Sequence, residues 1–459
     1  VPTSDPPETW KPLKRVARLA SRPIERFFQI KAASGILLML SAAAALTWAN
    51  SAWAESYARL WHTPVGIRLG DFSFERPLEW VVNDGLMAIF FFVVGLEIRR
   101  EVAVGELSSW RRAALPAAAA LGGMVAPALL YLSVAGAPAT QSGWGVPMAT
   151  DIAFAIGVLT LLGARVPPAL RVLLLALAVI DDLGAIVVIA IAYSAGLTLW
   201  GFALAAGGVG GILVMRWLGV RAKGLYVVPG VVVWAGIYVA GIHPTIAGVI
   251  VGLMTPVRAW LGAEGFVERV RDELAPLAAS MSATLDDTSL HHMRHVAKEA
   301  RREAISPAES LIESLHPWVN YFIMPVFALA NAGVTLSYAN LDADALRAVW
   351  GVTLGLLLGK PLGVLLASWL VLRTGLALRP AGIEPRHMVV LGLVAGVGFT
   401  MALFIAQLAF AEPSLLAAAK LGILGSSLAA ALLALALGSL LLSAGPHAEA
   451  SKAGAETAG

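Results

Sequence analysis

Two adjacent carboxylates, Asp181 and Asp182, stand in the middle of the apolar run from Leu170 to Tyr193. At about 1.5 Å of rise per residue, a helix of that length crosses a hydrocarbon core of roughly 30 Å, and the pair falls near its midpoint. A charge at that depth costs at least about 2.5 to 3.5 kcal/mol on insertion scales. Such residues therefore face a bundle interior or a wet cavity and serve transport or proton transfer. The rest of the chain fits a membrane setting: of 459 residues, 58% are hydrophobic and 14% charged, which excludes an ordinary soluble globule. The expected fold class is an all-α polytopic membrane protein. Cysteine is absent, so disulfides, thiolate metal sites and a cysteine nucleophile are excluded.

Apolar runs long enough to span occur at roughly 33–50, 80–98, 113–134, 145–163, 170–193, 199–216, 224–240, 242–256, 317–334, 349–372, 388–410 and 415–443, which predicts about twelve transmembrane helices. They divide the chain into a basic N-terminal segment (1–32), one transporter domain (33–444) and a polar, disordered tail (445–459). Lys11, Lys14, Arg15, Arg18, Arg22, Arg26 and Lys31 precede the first span, and alternate loops carry Arg99, Arg100, Arg111 and Arg112, then Arg165 and Arg171, then Arg216, Arg221 and Lys223, then Arg373, Arg379 and Arg386. The positive-inside rule places these loops and both termini in the cytoplasm.

Two connections stand out. Residues 62–77 alternate apolar and polar around the turn dipeptide Gly70-Asp71, the pattern of an outward β-hairpin, whose free edges predict a homodimer contact across a two-fold axis. Residues 257–316 form the long polar loop, expected to carry short charged helices on the cytoplasmic side. Within it His291 and His295, four apart, can share a helix face; a metal or pH-sensing role stands there against a plain solvated helix.

The fourth run contains Pro147 and then Thr150-Asp151, helix-capping residue types followed by apolar ones, which predicts a broken helix. Its counterpart is the eleventh run, where Gly392, Gly396 and Gly398 can supply unwound backbone at mid-depth. Non-helical backbone is tolerated there only where it is buried in protein or lines a cavity, and two interrupted helices at corresponding places mark a transporter's site. The tenth run holds Gly351, Gly355, Gly359 and Gly363, a small-residue face for close helix packing, and then Lys360, too deep to snorkel. Lys360 needs a carboxylate such as Asp181 or Asp151, or the negative ends of half-helices. Adjacent helical residues project about 100° apart, so Asp181 and Asp182 divide the labour. The expected arrangement has Asp182 on the ion pathway, Asp181 towards Lys360, and Asp151 compensating the positive half-helix N-termini.

The strings FFVVGLEIRRE, ATDIAFAIGVL, ALAVIDDLGAI, HPTIAGVIVG, FALANAGV, LGKPLG and GVGFTMALFIAQLAF resemble the NhaA family of sodium/proton antiporters, over residues from about 30 to about 440. The resemblance implies an inverted-repeat fold with crossed, unwound helices four and eleven, and pH-regulated, electrogenic exchange of one Na+ or Li+ for two protons. It makes Asp181 and Asp182 the ion and proton carboxylates with Thr150 beside them, Asp151 and Lys360 the charges at the crossing, Asp84 and Glu97 acidic positions of helix two, with Glu97 near a cytoplasmic funnel, and Glu101, His243 and Glu313 positions linked to pH response. Ser314 in place of a family histidine and the long 257–316 loop depart from the pattern and bear on the pH threshold. Na+ is a hard cation that prefers oxygen ligands, and it competes with protons for the same carboxylates. The partners expected are lipid, Na+ and protons, with no cofactor, no nucleic acid and no enzymatic step. Two rivals share some of these features: a Na+-coupled organic-solute symporter, which needs a roomier polar site, and an intramembrane aspartyl protease, which needs two facing carboxylates sharing a proton and leaves Lys360 without a role.

Overall fold

The computed structural model describes residues 33–70, 72–194, 196–220, 222–259, 271, 305–335 and 342–442. The basic N-terminal segment, most of the 257–316 loop with His291 and His295, and the C-terminal tail lie outside the described residues.

The apolar runs fold as helices: α1 (Ala33–Ala49), α2 (Ala54–His62), α3 (Leu78–Val104), α4 (Trp110–Ala135), α5 (Ile152–Leu161), α6 (Pro168–Ala192), α7 (Leu199–Trp217), α8 (Val227–Val239), α9 (Thr245–Met254), α10 (307–331), α11 (Ala343–Arg373), α12 (Pro385–Ala395), α13 (Phe399–Ala409) and α14 (Pro413–Leu441). Six of them, α3, α4, α6, α7, α11 and α14, are each long and apolar enough to cross a membrane. Two further spans are bent pairs: the 3₁₀ helix Gln141–Met148 with α5, bent by 43°, and α12 with α13, bent by 45°. The chain is a polytopic all-α membrane protein.

Between α2 and α3 lies one small antiparallel sheet, β1 (Pro64–Leu69) with β2 (Phe72–Pro77), in the register Pro64↔Pro77 to Leu69↔Phe72. Gly70, at φ +59°, takes the left-handed turn position that glycine adopts without steric cost. This is the hairpin the alternation predicts. α10 begins at Pro307, inside the stretch assigned to the loop, with Ser306 capping the Glu309 amide at 3.1 Å. Its first turns carry Glu309 and Glu313, so hydropathy alone places its start ten residues late.

Two π-turns sit directly before prolines: Val319–Ile323 before Pro325, and Gly355–Gly359 before Pro361. Proline removes an amide and clashes with the carbonyl four residues back, and a widened turn absorbs both. The second π-turn leaves Lys360 at its exit. The tenth run's glycines all face neighbouring backbone or bulky rings: Gly351 meets Tyr131, Gly355 meets Pro147, Gly359 meets Pro127, and a Cβ on Gly363 would lie 2.0 Å from the Gly122 carbonyl. α4 and α11 therefore cross at near backbone contact, and that brings Lys360 into the centre. The order long helix, broken pair, long helix occurs twice, as α4 to α6 and as α11 to α14.

Candidate functional site

Both breaks are short. The first covers Ala149 to Asp151, the second Gly396 to Gly398, and they meet: the Asp151 amide donates to the Val397 carbonyl at 2.8 Å and the Thr150 hydroxyl to the Ala395 carbonyl at 2.9 Å. The glycines allow this by closeness, not by unusual torsion, since both have ordinary negative φ. A Cβ on Gly396 would lie 2.6 Å from the Leu356 carbonyl, and one on Gly398 would lie 2.8 Å from the Leu356 side chain and 3.2 Å from the Ala149 carbonyl.

Asp151 is fully buried and caps two helices at once. Its Oδ1 accepts the Phe154 amide at 3.0 Å, the N-terminus of α5; its Oδ2 accepts the Thr400 amide at 3.2 Å and the Thr400 hydroxyl, at the N-terminus of α13. Each N-terminus carries about half a positive charge, so one carboxylate faces about one unit of positive dipole. Thr400 is a site residue that the sequence reading missed; the only signal was a small polar residue just past the second break.

Lys360 has no exposed surface. Its ammonium donates to Asp181 Oδ2 at 2.6 Å and to the Met148 carbonyl, the C-terminal end of the 3₁₀ half-helix. Asp181 Oδ1 makes no well-formed hydrogen bond among the described residues, and Thr150 lies beside the carboxylate. Asp182 is 2% exposed and makes no hydrogen bond or ion pair among the described residues; the charges of Asp181, Glu97, Lys360 and Asp151 all act on it. The site thus holds three buried carboxylates and one ammonium, all borne on helices that meet at the two breaks.

A sequence-family model described as Na+/H+ antiporter 1 matches residues 25–437. The chain belongs to the Na+/H+ antiporter 1 family. It is 65% identical over 440 residues to "Na(+)/H(+) antiporter NhaA 2" of Myxococcus xanthus, which covers 95% of this chain and 93% of the relative. It is 54% identical to the protein of the same name from Sorangium cellulosum, over 95% of this chain and 94% of the relative. The "Na(+)/H(+) antiporter NhaA" of Rhodopirellula baltica is 49% identical, over 89% of this chain and 92% of the relative.

The remaining predicted residues of this antiporter-family chain lie away from the crossing, in separate places. Asp84 sits within a π-turn of α3 near the hairpin, buried, with His243 Nε2 3.5 Å from its Oδ1 but no well-formed hydrogen bond. Glu97, farther along α3, pairs with His316 of α10 at 2.7 Å, and Asn320 bonds the other ring nitrogen at 3.2 Å. Glu101 accepts the Glu106 amide at 3.0 Å where α3 ends, and Glu313 is exposed. Sequence reasoning passed over His316, three residues after Glu313. It also passed over a buried amide cluster beside α13: Asn331 bonds Asn83 at 2.8 Å and accepts from Gln407, which reaches Glu79 at 3.4 Å.

Proposed function

We propose that this protein exports Na+ or Li+ across the bacterial inner membrane in exchange for about two protons, with Asp182 and Asp181 as the shared ion and proton carboxylates. The carrying observation is the pairing of Asp181 with Lys360 beside an Asp182 that makes no hydrogen bond or ion pair among the described residues. An ion-paired carboxylate and an unpaired one, side by side and buried, give a cation somewhere to bind and a proton somewhere to compete. Thr150, the carboxylate oxygens and the carbonyls at the breaks are hard oxygen donors suited to Na+.

The charge count supports electrogenic exchange. The four half-helix ends at the crossing cancel in pairs, each worth about half a charge. Three carboxylates and one ammonium then sum to −2. Two protons make the site neutral and one Na+ leaves it at −1, so the two loaded forms differ by one charge, worth about 2.3 kcal/mol per 100 mV. An inward proton gradient with a negative interior therefore drives Na+ out.

Access supports alternation. The Glu97 charge acts on Asp182 from the side away from the hairpin. Towards the hairpin, Met87, Phe91, Phe327 and Phe404 are buried, with ring centroids 5.4 Å apart for Phe91–Phe404 and 6.2 Å for Phe327–Phe404, and we read this packing as closing the way to Asp84. With both termini in the cytoplasm and the hairpin outside, this is an inward-facing state. The residues expected to take part in pH regulation are Asp84, Glu97, Glu101, His243 and Glu313; in the structure Glu97 is joined to His316 at 2.7 Å and His243 lies 3.5 Å from Asp84.

Proteoliposomes containing a pH dye test this reading. Added Na+ should release protons from the intact protein, Asp182→Asn should be silent, and clamping voltage with valinomycin and K+ should accelerate the response. Absence of any Na+ response from neutral to alkaline pH would overturn it.

A further inference from the structure

The aromatic cluster at the base of the hairpin has no part in the exchange described above. Arg76, near the end of β2, lies with its guanidinium 5.6 Å from the Phe74 ring centroid, 5.9 Å from Trp80 and 6.0 Å from Tyr238, and it donates to the Tyr238 hydroxyl. Trp234 stacks on Tyr238 with centroids 5.9 Å apart and planes 5° from parallel, and Trp80 meets both rings edge-on at 5.9 and 5.8 Å. A cation is attracted to aromatic faces, so this cage fixes the position of the charge. Arg68 is already paired with Glu75 at 2.7 Å. No carboxylate among the described residues lies within ion-pair distance of Arg76.

What lies beneath the cage gives the charge a purpose. Trp80 and Asp84 are four apart on α3, and Tyr238 and His243 are five apart across the end of α8. Trp80 is thus one helical turn from Asp84 on α3, while the chain leaves α8 after Tyr238, turns at Gly241 and brings His243 to 3.5 Å from Asp84. Arg76, 5.9 Å from the Trp80 ring, is thereby held about one helical turn from Asp84, near enough for its charge to act on that carboxylate.

We propose that Arg76, held by the Trp80–Tyr238–Phe74 cage, sets the cation affinity of the outer mouth: its fixed positive charge opposes the approach of Na+ to the Asp84–His243 pair and so disfavours rebinding of exported Na+. This rests on the reading above that the hairpin faces outward and that Asp84 lies on the outer path. On that reading the effect is one-sided, since the packed rings of Phe91 and Phe404, 5.4 Å apart, close the path from the outer mouth to Asp181 and Asp182. It is also electrostatic, so salt screens it over a Debye length of about 8 to 10 Å.

The test measures Na+-dependent proton movement in right-side-out and in everted membrane vesicles, at low ionic strength and with added choline chloride. Arg76→Gln should lower the half-maximal Na+ concentration at the outer face by about two- to fivefold, the scale of one partly screened charge, leave the inner face unchanged, and lose its effect as choline chloride is raised. Arg76→Lys, which keeps the charge but not the planar stacking, should stay near the unsubstituted protein and shows that a shift does not come from a disturbed hairpin. Equal shifts at both faces, no shift, or the same shift in Arg76→Lys would overturn the inference. A salt-sensitive shift confined to the inner face would instead overturn the orientation on which it rests.

Discussion

At the scale of single residues, the crossing is held by a few bonds whose loss has calculable consequences. Thr400 supplies Asp151 with a hydroxyl and an amide, and a hydrogen bond to a charged group is worth about 1.5 to 3 kcal/mol. Thr400→Val, nearly the same shape, should lower stability by that amount and raise the Na+ concentration for half-maximal exchange, whereas Thr400→Ser should restore both; thermal unfolding in detergent and the proteoliposome assay check this. Lys360 and Asp181 are a buried pair, and removing one partner of such a pair costs about 3 to 5 kcal/mol because the other charge is left uncompensated. Lys360→Met should therefore unfold well below the unsubstituted protein, and Lys360→Met with Asp181→Asn should regain most of the difference. Additive losses in that double-mutant cycle would show that the two residues do not stabilise one another. The sequence exposed Asp181, Asp182 and Lys360 because buried charge in an apolar run is conspicuous. It concealed Thr400, His316 and Asn331, since a lone polar residue near a helix end has many uses and only tertiary contact selects among them.

At the scale of elements, the spans were legible from length and apolarity, and the first break from Pro147 with Thr150-Asp151. Three things were not. The two breaks exchange hydrogen bonds between Asp151 and Val397 and between Thr150 and Ala395, a pairing no spacing encodes. The early start of α10 is hidden by its charged first turns. The π-turn at Gly355–Gly359 is set by Pro361, yet only the crossing with α4 shows why Lys360 then turns inward. The role of Gly396 also differs from the simplest expectation of a loosened backbone: it is a close-approach glycine at the Leu356 carbonyl. Gly396→Ala should accordingly reduce exchange by more than about tenfold or cost more than about 1.4 kcal/mol of stability, the tenfold equivalent, since backbone cannot yield as a side chain does. Gly425→Ala in α14, where a Cβ meets nothing within 4 Å, should be neutral or stabilising by up to about 1 kcal/mol. Equal losses from both substitutions, measured as transport rate per folded protein, would mean that helix flexibility, not packing at the crossing, is what Gly396 provides.

At the scale of the whole molecule, the three carboxylates and the ammonium at the crossing come from helices of one chain, and the hairpin's exposed edges suit a second copy. A two-stranded hairpin alone is at best marginally stable in water. This one is tied to its own chain at the base, by the Leu78 amide bonding the Thr63 carbonyl at 3.0 Å and by the Arg76 cage, while Val65 remains exposed and both strand edges are unpaired among the described residues. Open edges invite strand addition, and a second copy related by a two-fold axis can extend the pair to four strands without leaving a mismatched register. We propose that the chain pairs in this way as a homodimer; deleting residues 66–74 while keeping Arg76 and Trp80 should then leave it monomeric in native mass measurements and crosslinking, yet keep Na+-driven proton release per chain within about a factor of two, because the side chains at the helix crossing lie on other elements than the deleted strands. A dimer that survives the deletion would place the contact on helical surfaces instead. A monomer that has lost exchange would mean that the pairing of hairpins also braces α3, and with it Asp84 and Glu97, in each copy.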